Sequence, residues 1–357
     1  MSQRVAALLT SRRAFLSQAL RLGAGLGALP FVAACAASTP PAAPAPGPAA
    51  ARERGGAPAP SPRPLREVVF ATSAGGSAMG LVTTVIKRHQ LDEKHGLLLD
   101  LKPFDPADAE KAVLIGSVEA GFFVPISWAK VNLEGQEVSF LAPIYTNHGA
   151  VLVRAEAPYQ TMADLRGKRI ATLGHISGLY TSMQVLMREM GMDWERDFEL
   201  VAGPAPAVVA ALERGDVEAG VPFEPNTSAL LATGRYREVM NPNDTWQQLT
   251  GSPLFMVGLA ARQSWIDQNR DTARALKATI LDATRYIREH PEVFEEEREA
   301  LGIQNETHLA LVKARMSRIY LPEQDAALVR TIDQLLTRAV ELGVLPEKPR
   351  KEIFVNP

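Results

Sequence analysis

The chain has 357 residues, with 38 basic and 40 acidic side chains, a formal net charge of −2 and one cysteine. Near-balanced charge excludes the basic footprint that nucleic-acid binding needs, and a single thiol excludes an internal disulfide. With 46% of residues hydrophobic, the chain can fill one large core or two modest ones.

In chain order, the first feature is a leader. Ser11, Arg12, Arg13, Ala14, Phe15 and Leu16 precede a Gly/Ala/Leu-rich run at 19–34, the order of a secretory signal. The paired arginines resemble the twin-arginine export motif, with Ser17 in place of its final lysine. Arg21 and several glycines interrupt the run, which is too short to span a hydrocarbon core of roughly 30 Å. Val32, Ala33 and Ala34 before Cys35 resemble the box at which lipoproteins are cleaved, so Cys35 is expected to carry lipid and to tether the protein to a membrane outside the cytoplasm. The plainer alternative is an incidental cysteine in an alanine-rich stretch. Cleavage would remove Arg4, Arg12, Arg13 and Arg21 and no acid, taking the net charge from −2 to −6.

Residues 36–64 are rich in alanine and proline and hold no aromatic or large aliphatic side chain. Such a stretch cannot recover its ordering entropy and reads as an extended spacer. The folded body begins near Leu65, with Val68, Val69 and Phe70 as a buried strand, a Gly/Ser loop through Ser77 and an amphipathic helix to about residue 90.

An internal repeat organises the body. Ala112, Gly116, Val118, Glu119, Ala120 and Gly121 recur as Ala211, Gly215, Val217, Glu218, Ala219 and Gly220. Each copy predicts a helix ending at a glycine that takes the left-handed C-terminal conformation, then a short strand. Upstream, the strand, loop and helix from 69 to 90 parallel a strand at 170–172, a loop through Gly178 and a helix to about 190. Alternating strands and helices predict two similar α/β lobes, each a mostly parallel sheet flanked by helices.

Strands at 138–145 and 150–153, with Thr146, Asn147, His148 and Gly149 at the turn, are the expected crossing between lobes. The apolar run at 254–261, after Asn241, Pro242, Asn243 and Asp244, is the expected return. Helical patterns at 265–290, 292–301, 306–320 and 323–342 should pack back on the first lobe. The expected limits are therefore 1–34 for the leader, 35–64 for the lipidated tether, 65–149 for the first part of lobe 1, 150–249 for lobe 2, and 250–357 for the return and the tail.

Four features of the body combine into a family pattern: the strand at 96–101, the two Gly-x-Val-Glu-Ala-Gly copies, the run Asp164, Leu165, Arg166, Gly167, Lys168 and Arg169, and Pro222, Phe223, Glu224 and Pro225. With them the body resembles the solute-binding proteins of ABC importers in the family that binds sulfonates, taurine, nitrate and thiamine-pyrimidine precursors. The resemblance implies a two-lobed periplasmic-binding-protein fold of type II, closing on a ligand in the interlobe cleft and handing it to a permease driven by an ATPase.

In open α/β sheets, ligands bind beyond the carboxyl ends of strands, where helix N-termini present free N–H groups. That rule selects Ser73, Gly75, Gly76 and Ser77 in lobe 1 and His175, Ser177, Gly178, Tyr180 and Thr181 in lobe 2. It also selects Val124, Ser127 and Trp128 after the first repeated strand, Glu224 after the second, and Asn147 and His148 at the cleft floor. Each has a duller alternative: Ser77 and Ser177 as helix caps, Tyr180 and Trp128 as core, His148 and His175 as structural histidines, and Glu224 as a surface charge. No paired acidic or histidine spacing marks a metal site, and no cofactor is expected.

No Arg or Lys lies in the selected loops, so the expected solute is a small neutral or cationic organic molecule, flat heterocycles included. The other expected partners are the permease with its ATPase and the membrane through Cys35; nucleic acid is not one, and the protein is expected to be a monomer. An enzyme is disfavoured. The fungal thiamine-pyrimidine synthases that the family resembles use a cysteine-rich motif, and no cysteine follows Cys35. A third alternative is a ligand-sensing module that docks on a receptor.

Overall fold

The computed structural model describes residues 64–357 apart from Ala74 and Ile176, so the leader, Arg12, Arg13 and Cys35 lie outside the described residues. The first half runs β1 (Arg66–Thr72), α1 (Ala78–Arg88), α2 (Leu91–Lys94), β2 (Leu97–Pro103), α3 (Pro106–Ile115), β3 (Ala120–Phe123), α4 (Pro125–Leu133) and β4 (Val138–Thr146). The chain then crosses to β5 (Val151–Arg154), β6 (Arg169–Thr172), α5 (Gly178–Glu189), β7 (Glu199–Ala202), α6 (Ala205–Arg214), β8 (Ala219–Gly220), α7 (Asn226–Ala232), β9 (Tyr236–Met240) and α8 (Pro242–Thr250). It returns through β10 (Phe255–Arg262) and ends in α9 (Gln263–Gln268), α10 (Arg270–Glu289), α11 (Val293–Glu296), α12 (Glu306–Met316) and α13 (Ala326–Glu341).

The strands form two five-stranded sheets, ordered β2-β1-β3-β10-β4 and β7-β6-β8-β5-β9. Three strands of each are parallel, as helical crossovers demand. The strand that enters from the other lobe, β10 or β5, runs antiparallel to both neighbours, which makes each sheet mixed.

The repeated residues do the same physical work in both lobes. Gly116 (φ 78°) and Gly215 (φ 75°) end α3 and α6 in the left-handed conformation, which costs a glycine no Cβ clash. The carboxylate of Glu119 accepts from the Val69 N–H at 3.0 Å, and that of Glu218 from the Arg169 N–H at 2.9 Å. In each copy the glutamate fastens the repeated strand to its parallel neighbour, β1 or β6.

The helical tail packs on the first sheet. Leu276, Ile280, Ala283 and Ile287 make the buried stripe of α10, which lies on β4 and α1. The helix expected at 265–290 is broken at Asn269, whose side-chain amide donates to the Trp265 carbonyl at 2.9 Å and competes with the helical ladder. The helix expected to reach 320 stops at Met316, and the following residues pair with the outer edge of β4. Among the described residues no helix is long and apolar enough to cross a membrane.

Candidate functional site

The two crossings lie side by side, with the Asn147 N–H on the Leu254 carbonyl at 2.8 Å. The segment after β8 folds against the outbound crossing: the Ala150 N–H meets the Pro222 carbonyl at 3.1 Å and the Glu224 N–H meets the His148 carbonyl at 3.2 Å. This pairing gathers Asn147, His148 and Glu224 on the floor of a cavity of about 300 Å³. Its walls include Asn241 and Asp244 at the head of α8, Arg315 at the end of α12 and Ile319 in the segment after it.

Asn147 is 2% exposed. Its Oδ1 accepts from the Gly149 N–H at 3.0 Å, which identifies the other amide atom as Nδ2. That Nδ2 has no partner among the described residues, and neither does Nδ1 of His148, which is 7% exposed. The His148 ring stands edge-on to Tyr145 (5.1 Å) and Phe223 (5.5 Å). Burial lowers its pKa to about 4 against the raising pull of the Thr146 carbonyl, so the imidazole is neutral at pH 7. A buried polar group without a partner costs about 1–3 kcal/mol, which a ligand that pairs with it returns.

Glu224 is 1% exposed and its carboxylate is already engaged. Oε1 is 2.5 Å from Nε of Arg315, while Oε2 accepts from the Ser228 hydroxyl at 2.6 Å and the Ser228 N–H at 3.2 Å. Arg315 also reaches Glu238, with Nη2 at 2.8 Å from Oε2. Burial pushes the Glu224 carboxyl above its ordinary range, against the lowering pull of Arg315 and Ser228. Burial also opposes the charge on Arg315, but the two carboxylates outweigh it and its pKa is raised.

The other predicted residues fall elsewhere. Ser77 caps α1 by accepting from the Gly80 N–H at 3.0 Å, in the loop that also holds Ser73, Gly75 and Gly76. Gly76 lies so close to the tail that a Cβ there would sit 2.2 Å from the Ala300 carbonyl oxygen. Ser177 caps α5 by accepting from the Tyr180 N–H at 3.2 Å, and the Thr181 hydroxyl bonds back to the Ser177 and Gly178 carbonyls.

Two aromatic candidates are core residues here. Trp128 is fully buried, with its indole N–H on the Val138 carbonyl at 2.9 Å and its ring stacked on Phe140. Tyr180 is fully buried with its hydroxyl on Glu195 at 2.8 Å, and the exposed His175 stands against its ring. At the head of α4, the Glu110 carboxyl accepts from the Val124 N–H at 3.0 Å and pairs with the Ser127 hydroxyl. Burial pushes that carboxyl up to about 8. One N–H at this helix end is thus taken by the protein's own side chain.

Sequence reasoning missed Arg315, Glu238, Asn241 and Asp244. Arg315 and Glu224 are 91 positions apart, and no local motif announces that a tail helix returns to the crossing.

Residues 93–293 match the model of the family described as NMT1/THI5 like. The chain belongs to this family. Over 205 residues it is 25% identical to the taurine-binding periplasmic protein of Escherichia coli (strain K12), covering 57% of this chain and 61% of that protein's length. Its fold is similar to that of the periplasmic aliphatic sulphonate binding protein SsuA of Escherichia coli (TM-score 0.64, 18% identity, 81% of this chain and 97% of that one). It is also similar to that of the alkanesulfonate-binding protein SsuA of Xanthomonas axonopodis pv. citri bound to MOPS (TM-score 0.63, 16% identity, 83% and 98%). Family membership and the two-sheet architecture agree with the resemblance drawn from the repeat.

Proposed function

We propose that this NMT1/THI5-like chain is an extracytoplasmic solute-binding protein that captures a small organic molecule between its lobes and delivers it to an ABC importer. The observation that carries the reading is the pair of buried, unpartnered groups, Asn147 Nδ2 and His148 Nδ1, on the cavity floor where the two sheets are joined. The taurine- and sulfonate-binding relatives support it, being binding proteins rather than enzymes. The lobes divide at about residues 149 and 249.

A thermal-shift screen of the purified protein against sulfonates, nitrate, amines, pyrimidines and flavins tests the reading, because a ligand bound by the native state alone raises the melting temperature. A hit whose shift disappears in Asn147→Ala supports it. A hit undisturbed by that change moves the site to another part of the cleft.

The location has its own tests. Export through the twin-arginine route requires Arg12 and Arg13, so changing both to lysine retains the protein in the cytoplasm. Lipid on Cys35 keeps it in the membrane fraction, and Cys35→Ala releases it to the soluble fraction. Light scattering of the released form is expected to report a monomer.

A further inference from the structure

The charges around the cavity differ in how much they matter. Arg288 and Arg318 line it without an acidic partner among the described residues, but both are exposed, and each already donates to a carbonyl, of Tyr320 and of Ala314, at 3.0 Å. Asp244, also exposed, opposes them from the head of α8. Water screens all three. A unit charge pair at 4 Å is worth about 1 kcal/mol in water and about 4 kcal/mol at the effective dielectric near a protein surface.

The deeper charges are Glu224 and Arg315, and there two carboxylates, of Glu224 and Glu238, share one guanidinium. Nε of Arg315 serves Glu224 at 2.5 Å and Nη2 serves Glu238 at 2.8 Å. An anionic ligand would have to displace a carboxylate from that guanidinium or sit beside the buried Glu224 with only the solvent-screened Arg288 and Arg318 as counter-charge, which approaches the costly case of a buried ion without a close partner. Among the side chains that line the cavity, the buried atoms without a hydrogen-bond partner among the described residues are uncharged: Nδ2 of Asn147 and Nδ1 of the neutral His148. Asn147 Nδ2 needs an acceptor, whereas His148 Nδ1 accepts or donates according to tautomer.

We infer that the cavity selects an uncharged polar ligand, a carboxamide, cyclic amide or nitrogen heteroaromatic whose acceptor meets Asn147, and that Glu224 and Glu238 exclude organic anions by occupying Arg315. This rests on the reading of the chain as a solute receptor and assigns it a charge class different from the sulfonates for which two of its structural relatives are named.

Calorimetry on the whole protein tests it with nicotinamide and cytosine as uncharged probes and ethanesulfonate and propionate as anions. At least one uncharged probe should bind the wild type, Asn147→Ala should weaken it tenfold or more, and neither anion should bind. Glu238→Gln, on a half-exposed strand, should keep the wild-type melting profile while raising ethanesulfonate affinity at least tenfold. Glu224→Gln should do the same if it folds, and Glu238→Gln decides alone if it does not. Wild-type binding of ethanesulfonate or propionate tighter than either uncharged probe, or unchanged anion affinity in Glu238→Gln, overturns the charge selection and leaves the receptor reading standing. Silence from all four probes in wild type and Glu238→Gln counts against both.

Discussion

Val124, at the head of α4 in the first lobe, packs directly on Gly178, the first residue of α5 in the second: a Cβ on Gly178 would lie 2.4 Å from Val124 Cγ1. Real Cβ contacts are never so short, so closure of the two lobes at this point depends on a missing methyl group. Gly178→Ala should therefore lower stability by about 1–3 kcal/mol, the usual cost of overpacking. Val124→Ala in the same chain should recover most of it, since it vacates the space. Urea unfolding of both single variants and the double would measure the coupling, and strict additivity would show that the two sites do not share this contact.

Acid should weaken the protein through His148. Its folded pKa of about 4 lies below the ordinary 6.5, so the folded state excludes a proton that the unfolded chain binds between those values. The stability is fully present above pH 6.5 and is lost as pH falls towards 4, by about 3 kcal/mol from this residue. Tyr145 and Phe223 face the ring, and Glu224, Asp244, Arg288, Arg315 and Arg318 carry the charges of the cavity that it lines. His148→Phe keeps an aromatic body and removes the titration. Its stability relative to wild type should rise on going from pH 7.5 to pH 4.5, and a difference independent of pH would contradict the assignment.

Glu110 should act in the opposite direction. Burial raises its carboxyl from 4.5 to about 8, so the folded state holds a proton that the unfolded chain releases. Its contribution is present below pH 4.5 and declines as pH rises through 8, on the order of a few kcal/mol across that window. Glu110→Gln preserves an acceptor for the Val124 N–H and should flatten the alkaline side of the stability profile, measured by denaturant titration at pH 5.5, 7 and 8.5.

Trp128→Phe should cost about 1–3 kcal/mol, chiefly from lost packing, since the Val138 carbonyl keeps the Asn132 amide as a second donor at 3.1 Å. Because Trp128 is core, ligand affinity of the folded variant should stay within twofold of wild type. A larger loss at unchanged melting temperature would return this residue to the binding surface.

The repeat was readable because each of its residues has a local job. A helix that must stop needs Gly116 or Gly215, and the N–H groups of Val69 and Arg169 need the carboxylates of Glu119 and Glu218, so the same letters recur at the same spacing. Ser77 and Ser177 were likewise marked by position, and both do cap helices. The cavity was only half readable. Asn147, His148 and Glu224 follow strands, where the strand-end rule looks, whereas Arg315 arrives on a helix whose docking depends on contacts far along the chain. The absence of basic residues from the selected loops therefore did not mean their absence from the cavity. Trp128 escaped for a related reason: whether an aromatic on the first turn of a helix faces a cleft or a core depends on what packs beside it.

All nine residues of β4 are buried although it is an edge strand. Its outer margin is occupied at one end by the tail, with the Leu321 N–H on the Ile144 carbonyl at 2.8 Å and the Thr146 N–H on the Ile319 carbonyl at 3.0 Å. At the other end the last residues of the chain close it, with the Val355 N–H on the Phe140 carbonyl at 2.9 Å and the Phe140 N–H on the Ile353 carbonyl at 3.2 Å. An apolar strand with open N–H and C=O groups is a template for another chain. Residues 353–355 thus guard this margin against self-association: without them the Phe140 N–H and C=O would stand open, and a chain cut before Ile353 is expected to aggregate more readily than the intact one.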